Sequence, residues 1–291
     1  MTIERAAERA VPKPWGSTDL RPWSDRHQEG AAIGEIWFQR PGTHLPDPAL
    51  LLKLLFPTEP LSIQVHPGDD YARSIGLPHG KTDAWYILSA TPDAKVAIGL
   101  KRHVTAAELR AAIGDGSIAD LVAWRQVSAG DVVSVPAGTI HALGAGLVVA
   151  EVQQNSDATF RLFDYGRHRE LHIDQAVAVA KPEPSAGAPA PAPAVDGVTP
   201  LVSSPFFAME RLDLPAGAAR EIQAARETWL LVLNGTARVG TVIAATGQAI
   251  FLEATNATLC VGAGGLTALL AKVGPEQNPI LFNNRHPAHA G

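Results

Sequence analysis

Gly130-Asp-Val-Val-Ser-Val-Pro136-Ala-Gly138-Thr-Ile-His141 is the stretch whose reading decides the fold. The Val-rich run predicts a strand over Asp131–Val135. Pro136 and Gly138 set a tight corner, and His141 opens the next strand. Working outward, Ser62–His66 alternates in polarity, Ala84–Leu88 is aromatic and apolar, and Leu147–Val152 is rich in Val, so each predicts a short strand. Downstream, Gly247-Gln-Ala-Ile-Phe-Leu-Glu253-Ala-Thr255-Asn-Ala-Thr258 repeats the spacing, with Thr258 where the histidine stood. Strands are further expected over Phe206–Leu214, Thr228–Leu233, Ala237–Val242, Gln248–Leu252 and Thr258–Val261, and Asn234-Gly235 carries a hairpin-turn signal.

Helices are confined to inserts. Thr105-Ala-Ala-Glu108 reads as a capping box before Leu109, Ala112 and Ile113. A second helix is expected over Ile118–Trp124 and a third from Asp174 to Ala180. Between residues 181 and 197 the sequence KPEPSAGAPAPAPAVDG alternates Ala and Pro, which favours an extended spacer over a helix or a sheet strand. These features predict a mainly β chain of two β-barrel or jelly-roll domains. The first, residues 1–180, has a helical insert at about 102–125; residues 181–197 form a linker, and residues 198–291 form the second domain with a C-terminal tail.

The composition is that of an ordinary globular protein, with 46% hydrophobic and 18% charged residues in 291. A formal charge of -5 offers no basic stripe for nucleic acid. Cys260 is the only cysteine, so an intrachain disulfide and a cysteine metal cluster are excluded. No apolar run reaches the roughly 18 residues of a membrane span. MTIERAAERAVPKPWG has no apolar signal core, so a cytoplasmic location is expected. The sequence does not indicate an oligomeric state.

Gln64 and His66 lie two apart on a predicted strand and leave the same face. His141 arrives from the corner motif, and Asp83 is the carboxylate candidate in HGKTDAWY, residues 79–86. Two imidazoles, an amide and a carboxylate make a mixed nitrogen and oxygen set suited to Zn²⁺, with positions left open for water or substrate. His79, His103, His168, His172, His286 and His289 read as surface or loop residues. Trp15 and Trp85 read as core or pocket wall.

The G-x5-P-x-G-x2-H spacing resembles the second motif of the cupin superfamily. Taken in order, KPWG, KLLFPTEPLSIQVHP, GKTDAWYIL and VPAGTIHALGAGLVVAEVQQNSDATFRLFDYG resemble the type I phosphomannose isomerases in their short bacterial form, over roughly residues 13–180. The resemblance implies one zinc ion held by Gln64, His66, Asp83 and His141. It further implies Lys53, Ser62, Lys81, Glu151 and Arg161 as the substrate-facing set, with Arg161 tied to catalysis, and interconversion of mannose 6-phosphate and fructose 6-phosphate. In two places the chain departs from the pattern. Asp83 stands where glutamate is usual, shortening the reach by about 1.5 Å, one C–C bond. Ala145 stands where the cupin motif often ends in asparagine, at a position that is not a ligand.

Aldose–ketose chemistry needs a base beside a carbonyl and a cation to hold the developing oxyanion. Glu151 or a desolvated Lys81 can be the base, and Lys53, Lys81 and Arg161 are the natural partners of a phosphate. Alternatives are an isomerase of another aldose or aldose phosphate, or a non-catalytic sugar-phosphate-binding protein. Gln64 in place of a histidine disfavours an iron dioxygenase.

Overall fold

The computed structural model describes residues 1–25, 31–42, 47–185 and 193–274. His286 and His289, the C-terminal tail and the middle of the Ala/Pro spacer lie outside them. The chain opens with β1 (Thr2–Arg5), β2 (Ala7–Ser17), β3 (Ile33–Gln39), β4 (Leu50–Leu55) and β5 (Ile63–Val65). Helix α1 (Asp69–Ser74), β6 (Asp83–Ala90) and β7 (Lys95–Leu100) follow. Helices α2 (Ala106–Asp115) and α3 (Ile118–Leu121) then lead into β8 (Val122–Gln126), β9 (Val132–Val135), β10 (His141–Leu143), β11 (Leu147–Gln154) and β12 (Phe160–Phe163). After α4 (Ile173–Val179) come β13 (Val198–Ser203), β14 (Phe207–Leu214), β15 (Ala219–Ala224) and β16 (Thr228–Val239). The last described strands are β17 (Val242–Ala245), β18 (Ala249–Glu253) and β19 (Thr255–Val273).

The expectation of a mainly β chain is met, but the strands of the described residues form three open sheets rather than closed barrels. One sheet runs β2-β3-β4-β11-β6-β9 and a second runs β12-β5-β10-β7-β8. The third is built on β1-β18-β16-β19-β14-β13, with β15 on β19 and β17 on β16. Strand β1, from the start of the chain, joins this third sheet through Thr2 opposite Glu253.

Period-2 alternation sorts the side chains into layers. On β4, β6 and β11, Leu52, Leu54, Ala84, Tyr86, Ala150 and Val152 pack against Phe207, Trp229 and Phe251 of the third sheet. The opposite faces contribute Leu55, Trp85, Ile87 and Val149 to a core shared with Val96, Ile98 and Leu143 of the second sheet. Outside the second sheet, Ile63, Val65, Ala142 and Leu162 are covered by Leu109, Ala112 and Ile113 of α2 and Ala176 of α4. The capping box forms as the sequence predicts, with Thr105 accepting from the Glu108 amide and the Glu108 side chain capping the Thr105 amide.

The structure moves three local boundaries. The expected helix over Ile118–Trp124 stops at Leu121, because Val122 pairs with Leu100 and Trp124 with Ala97 in a strand. Asn234-Gly235 makes no hairpin: both lie inside β16, where the register against β19 shifts on either side of them. Gly235, at φ 85°, gives a bulge the left-handed residue that a tight turn would also have used. The expected strand Ala237–Val242 divides instead between β16 and β17, which pair with each other.

Trp229 stacks edge-on against Phe251 at 5.0 Å and donates to Glu227, whose carboxylate also caps the Leu50 amide. Trp229→Ala is expected to lower unfolding stability by about 3–5 kcal/mol in urea titrations; a change near zero would mean that this sheet–sheet core does not carry the fold.

Candidate metal centre and cavity

Cross-strand register assembles the site. On the first sheet Trp37, Lys53, Glu151 and Trp85 stand directly opposite one another across β3, β4, β11 and β6. On the second sheet Arg161, Gln64 and His141 form a matching row across β12, β5 and β10. The corner predicted at Pro136–Gly138 ties these strands together, with the Gly138 amide donating to the His66 carbonyl at 2.8 Å. At φ 89° Gly138 needs the left-handed freedom of glycine, and a Cβ there would meet the Val179 carbonyl at 3.1 Å. Lys53, Ser62, Gln64, Lys81, His141, Glu151 and Arg161, all named from the sequence, line one cavity of about 230 Å³.

His66, Asp83 and His141 are buried, and one potential ligand atom from each lies within 4.8 Å of the others. His141 Nδ1 faces the Thr139 carbonyl at 2.8 Å, and His66 Nδ1 faces the Ala158 carbonyl at 2.9 Å. Only a protonated Nδ1 can donate to a carbonyl, which leaves Nε2 of both rings as a lone pair. Burial holds both imidazoles below their usual range, His141 down to about 3, so both stay neutral. Lys81 places its ammonium 2.9 Å from His66 Nε2 and 2.8 Å from Asp83 Oδ2. Asp83 Oδ1 is buried without a hydrogen-bond partner among the described residues.

These features form an acceptor set that attracts a cation, so the residues present fit a metal ion. Burial pushes the Asp83 carboxyl up, but Lys81 beside it wins and the group stays ionised. For Lys81, burial alone would lower its pKa; Asp83 and Glu151 reverse this and hold the ammonium above its ordinary range. Gln64 sits with Nε2 3.2 Å from His141 Nε2, while its Oε1 accepts from Ser62 Oγ at 3.2 Å. A ligand role requires the amide oxygen on the histidine side. The Ser62 hydroxyl can serve either amide atom, as donor or acceptor.

Across the cavity the charges alternate. Lys13 pairs with Glu35, Glu35 with Lys53, Lys53 with Glu151 at 3.5 Å, and Lys81 stands 3.9 Å from Glu151. The Trp85 indole donates to Glu151 at 2.9 Å. The Arg161 Nη1 group donates to the Glu170 carbonyl, and its buried Nε has no partner among the described residues. Asp164 pairs with Arg167 and Arg169; burial and the neighbouring Arg169 lower the Arg161 pKa, and the nearby Asp164 charge only partly offsets them.

Sequence reading missed Lys13, Glu35, Asp157, Thr159 and Arg169, which also line the cavity. Glu35 had a signal, being the one acidic residue in the apolar strand Ile33–Phe38. Lys13, the first residue of KPWG, reaches the cavity beside Trp15. Trp15 and Trp85 form wall and core together.

Fold and site together define a β-sheet protein with a buried group able to hold a metal ion beside a cavity lined with charged side chains. No protein-family profile matches the chain. It is 37% identical to a mannose-6-phosphate isomerase of Streptococcus mutans over 198 residues, 65% of this chain and 62% of that protein. It is 38% identical to the mannose-6-phosphate isomerase ManA of Bacillus subtilis over 163 residues, 51% of this chain and 50% of that one. The matches thus span about half to three fifths of these curated relatives. In three dimensions it matches the crystallised mannose 6-phosphate isomerase of Bacillus subtilis with a TM-score of 0.81 at 25% identity, covering 93% of this chain and 99% of that one. A variant phosphomannose isomerase from Salmonella typhimurium, at 15% identity and a TM-score of 0.73, shares the fold. The chain is therefore similar to mannose-6-phosphate isomerases, as its motifs indicated.

Divalent metal is expected to raise the thermal midpoint of the wild-type chain, since a ligand at 100 times its Kd adds about 2.7 kcal/mol. His141→Ala should abolish the rise in differential scanning fluorimetry. An equal rise in both proteins would place the ion elsewhere.

Proposed function

We propose that the protein is a zinc-dependent aldose–ketose isomerase that interconverts mannose 6-phosphate and fructose 6-phosphate. The observation that carries this reading is the buried His66/Asp83/His141 group beside a cavity that His141 lines together with Gln64, Lys53, Lys81, Glu151 and Arg161. His66, Asp83, His141 and the turned amide of Gln64 would hold the ion, which supplies Lewis-acid polarisation of substrate oxygens when bound. The sugar phosphate is the substrate class, and the location is the cytoplasm.

Glu151 is the base in this scheme, because Lys81 is held as an ammonium by Asp83 and Glu151. The Glu151 carboxylate takes the proton from C2 of the open-chain aldose, leaving an enediolate; the O2 hydroxyl proton passes to O1, and the protonated Glu151 returns its proton to C1 to give the ketose. Lys81 and Arg161 face the negative charge that develops on the oxygens. Arg161, whose Nε is unpaired and which has no ion pair with a carboxylate among the described residues, is the cation with most to offer a phosphate. Lys53 holds Glu151 in place and Ser62 orients the Gln64 amide.

We further assign residues 1–180 to a catalytic cupin-like domain, 181–197 to a linker and 198–291 to a second cupin-like domain without ligands. The repeated spacing around Gly130 and Gly247 supports that division, since both glycines take positive φ before a short strand, as do the sheet pairings apart from β1, which joins the third sheet. The short Asp83 side chain keeps a different aldose phosphate as the second reading, and a substrate panel separates the two.

Zinc-loaded protein is expected to form fructose 6-phosphate from mannose 6-phosphate in a coupled assay, and chelation should stop it. Glu151→Gln should cut kcat by about 10²–10⁴, and Arg161→Ala should cost about 10²–10³ in kcat/KM. Absence of turnover in the metal-loaded wild type would end this reading.

A further inference from the structure

Asp69 and Gln154 lie outside the cavity lining and the donor group, yet they control the segment that carries Lys81 and Asp83. We propose that they form a clamp whose hydrogen bonds set the position of residues 80–83 and thereby the affinity of the His66/Asp83/His141 group for a metal ion. This inference rests on reading that group as a metal site.

Three successive backbone amides of the segment are captured by neighbouring elements. Gly80 N–H donates to Asp69 Oδ1 at 2.9 Å, Lys81 N–H to the Pro67 carbonyl at 2.9 Å, and Thr82 N–H to Gln154 Oε1 at 3.0 Å. The clamp closes on itself, because the Gln154 side-chain N–H donates to the same Asp69 Oδ1 at 3.0 Å. The Gln154 backbone amide also donates to the Thr82 carbonyl at 3.1 Å. Gly80 presses directly on the facing chain: a Cβ there would lie 2.5 Å from the Pro67 carbonyl oxygen and the Gly68 carbonyl carbon. The same residues 66–69 carry His66, so the clamp fixes the spacing between two potential ligands, and Asp83 Oδ2 comes to 3.4 Å from His66 Nε2.

Asp83 gives the clamp its importance. A glutamate has a further rotatable bond with which to follow a displaced backbone, and aspartate has less slack. The placement of residues 80–83 must therefore supply what the short side chain lacks. Asp69 and Gln154 are positioning residues, acting through the backbone of that segment.

The test is zinc affinity of the full chain, measured by competition with a chromophoric chelator. Asp69→Ala, which removes the shared acceptor, should weaken zinc binding by about 10–100-fold, whereas Asp69→Asn, which keeps an acceptor oxygen, should stay within about threefold of wild type. Gln154→Leu should weaken binding in the same direction and serves as the independent variant should Asp69→Ala not fold, with circular dichroism as the control. In an Asp83→Glu background the loss caused by Asp69→Ala should shrink, because the longer carboxylate restores slack. Folded Asp69→Ala or Gln154→Leu protein with wild-type zinc affinity would overturn the clamp alone, as would an Asp69→Asn loss equal to that of Asp69→Ala. A wild-type chain that binds no zinc would overturn the metal-site reading and the clamp with it.

Discussion

A charged side chain taken out of water must be met by an opposite charge or a full set of hydrogen bonds, and several stand buried together in and beside the cavity. Glu35, Lys53, Glu151, Lys81 and Asp83 are each less than a tenth exposed. They persist because their signs alternate from Lys13 inward, so that each group faces the opposite charge on either side. The series ends at Asp83 and the two neutral imidazoles, where one carboxylate oxygen is left over. That surplus of acceptors at the end of an otherwise balanced row is what makes the place suited to a cation.

Strand register makes the row possible. Side chains directly opposite on neighbouring strands are close enough to interact, so a line of residues across β3, β4, β11 and β6 becomes a continuous polar strip in an apolar sheet. A slip of one residue on β11 would turn Glu151 toward the leucines and phenylalanines packed on the third sheet. The large apolar layers on both sides of the site hold that register, and the clamp at Gly80–Thr82 extends the same control to Asp83 at the start of β6.

Gln64, His66 and His141 were legible as one cluster because each sits in a short local pattern, alternation at Gln64 and His66 and a glycine–proline corner before His141. Lys53, Ser62, Lys81, Glu151 and Arg161, by contrast, were named only through the resemblance of the ordered motifs, and the structure places them around one cavity. The capping box at Thr105 was equally local. What escaped depends on partners far apart in the chain. Glu35 gains its meaning from Lys53 on the next strand, and Asp69 from Gln154, 85 positions away. Strand β1 finds its partner near residue 253, which nothing near residue 2 announces. Asn234-Gly235 shows the reverse error: a strong local turn signal was overridden by pairing with the long strand β19, leaving only a bulge. Val122–Trp124 was drawn from helix to strand by β7 in the same way.

Anomalous diffraction at the zinc edge from crystals of the zinc-loaded chain tests the central claim most directly. The account predicts one strong peak in the cavity within bonding reach of His66 Nε2, His141 Nε2 and an Asp83 oxygen, with the Gln64 amide turned to present its oxygen. A zinc-saturated crystal with its peak away from these side chains, or with none in the cavity, would contradict it.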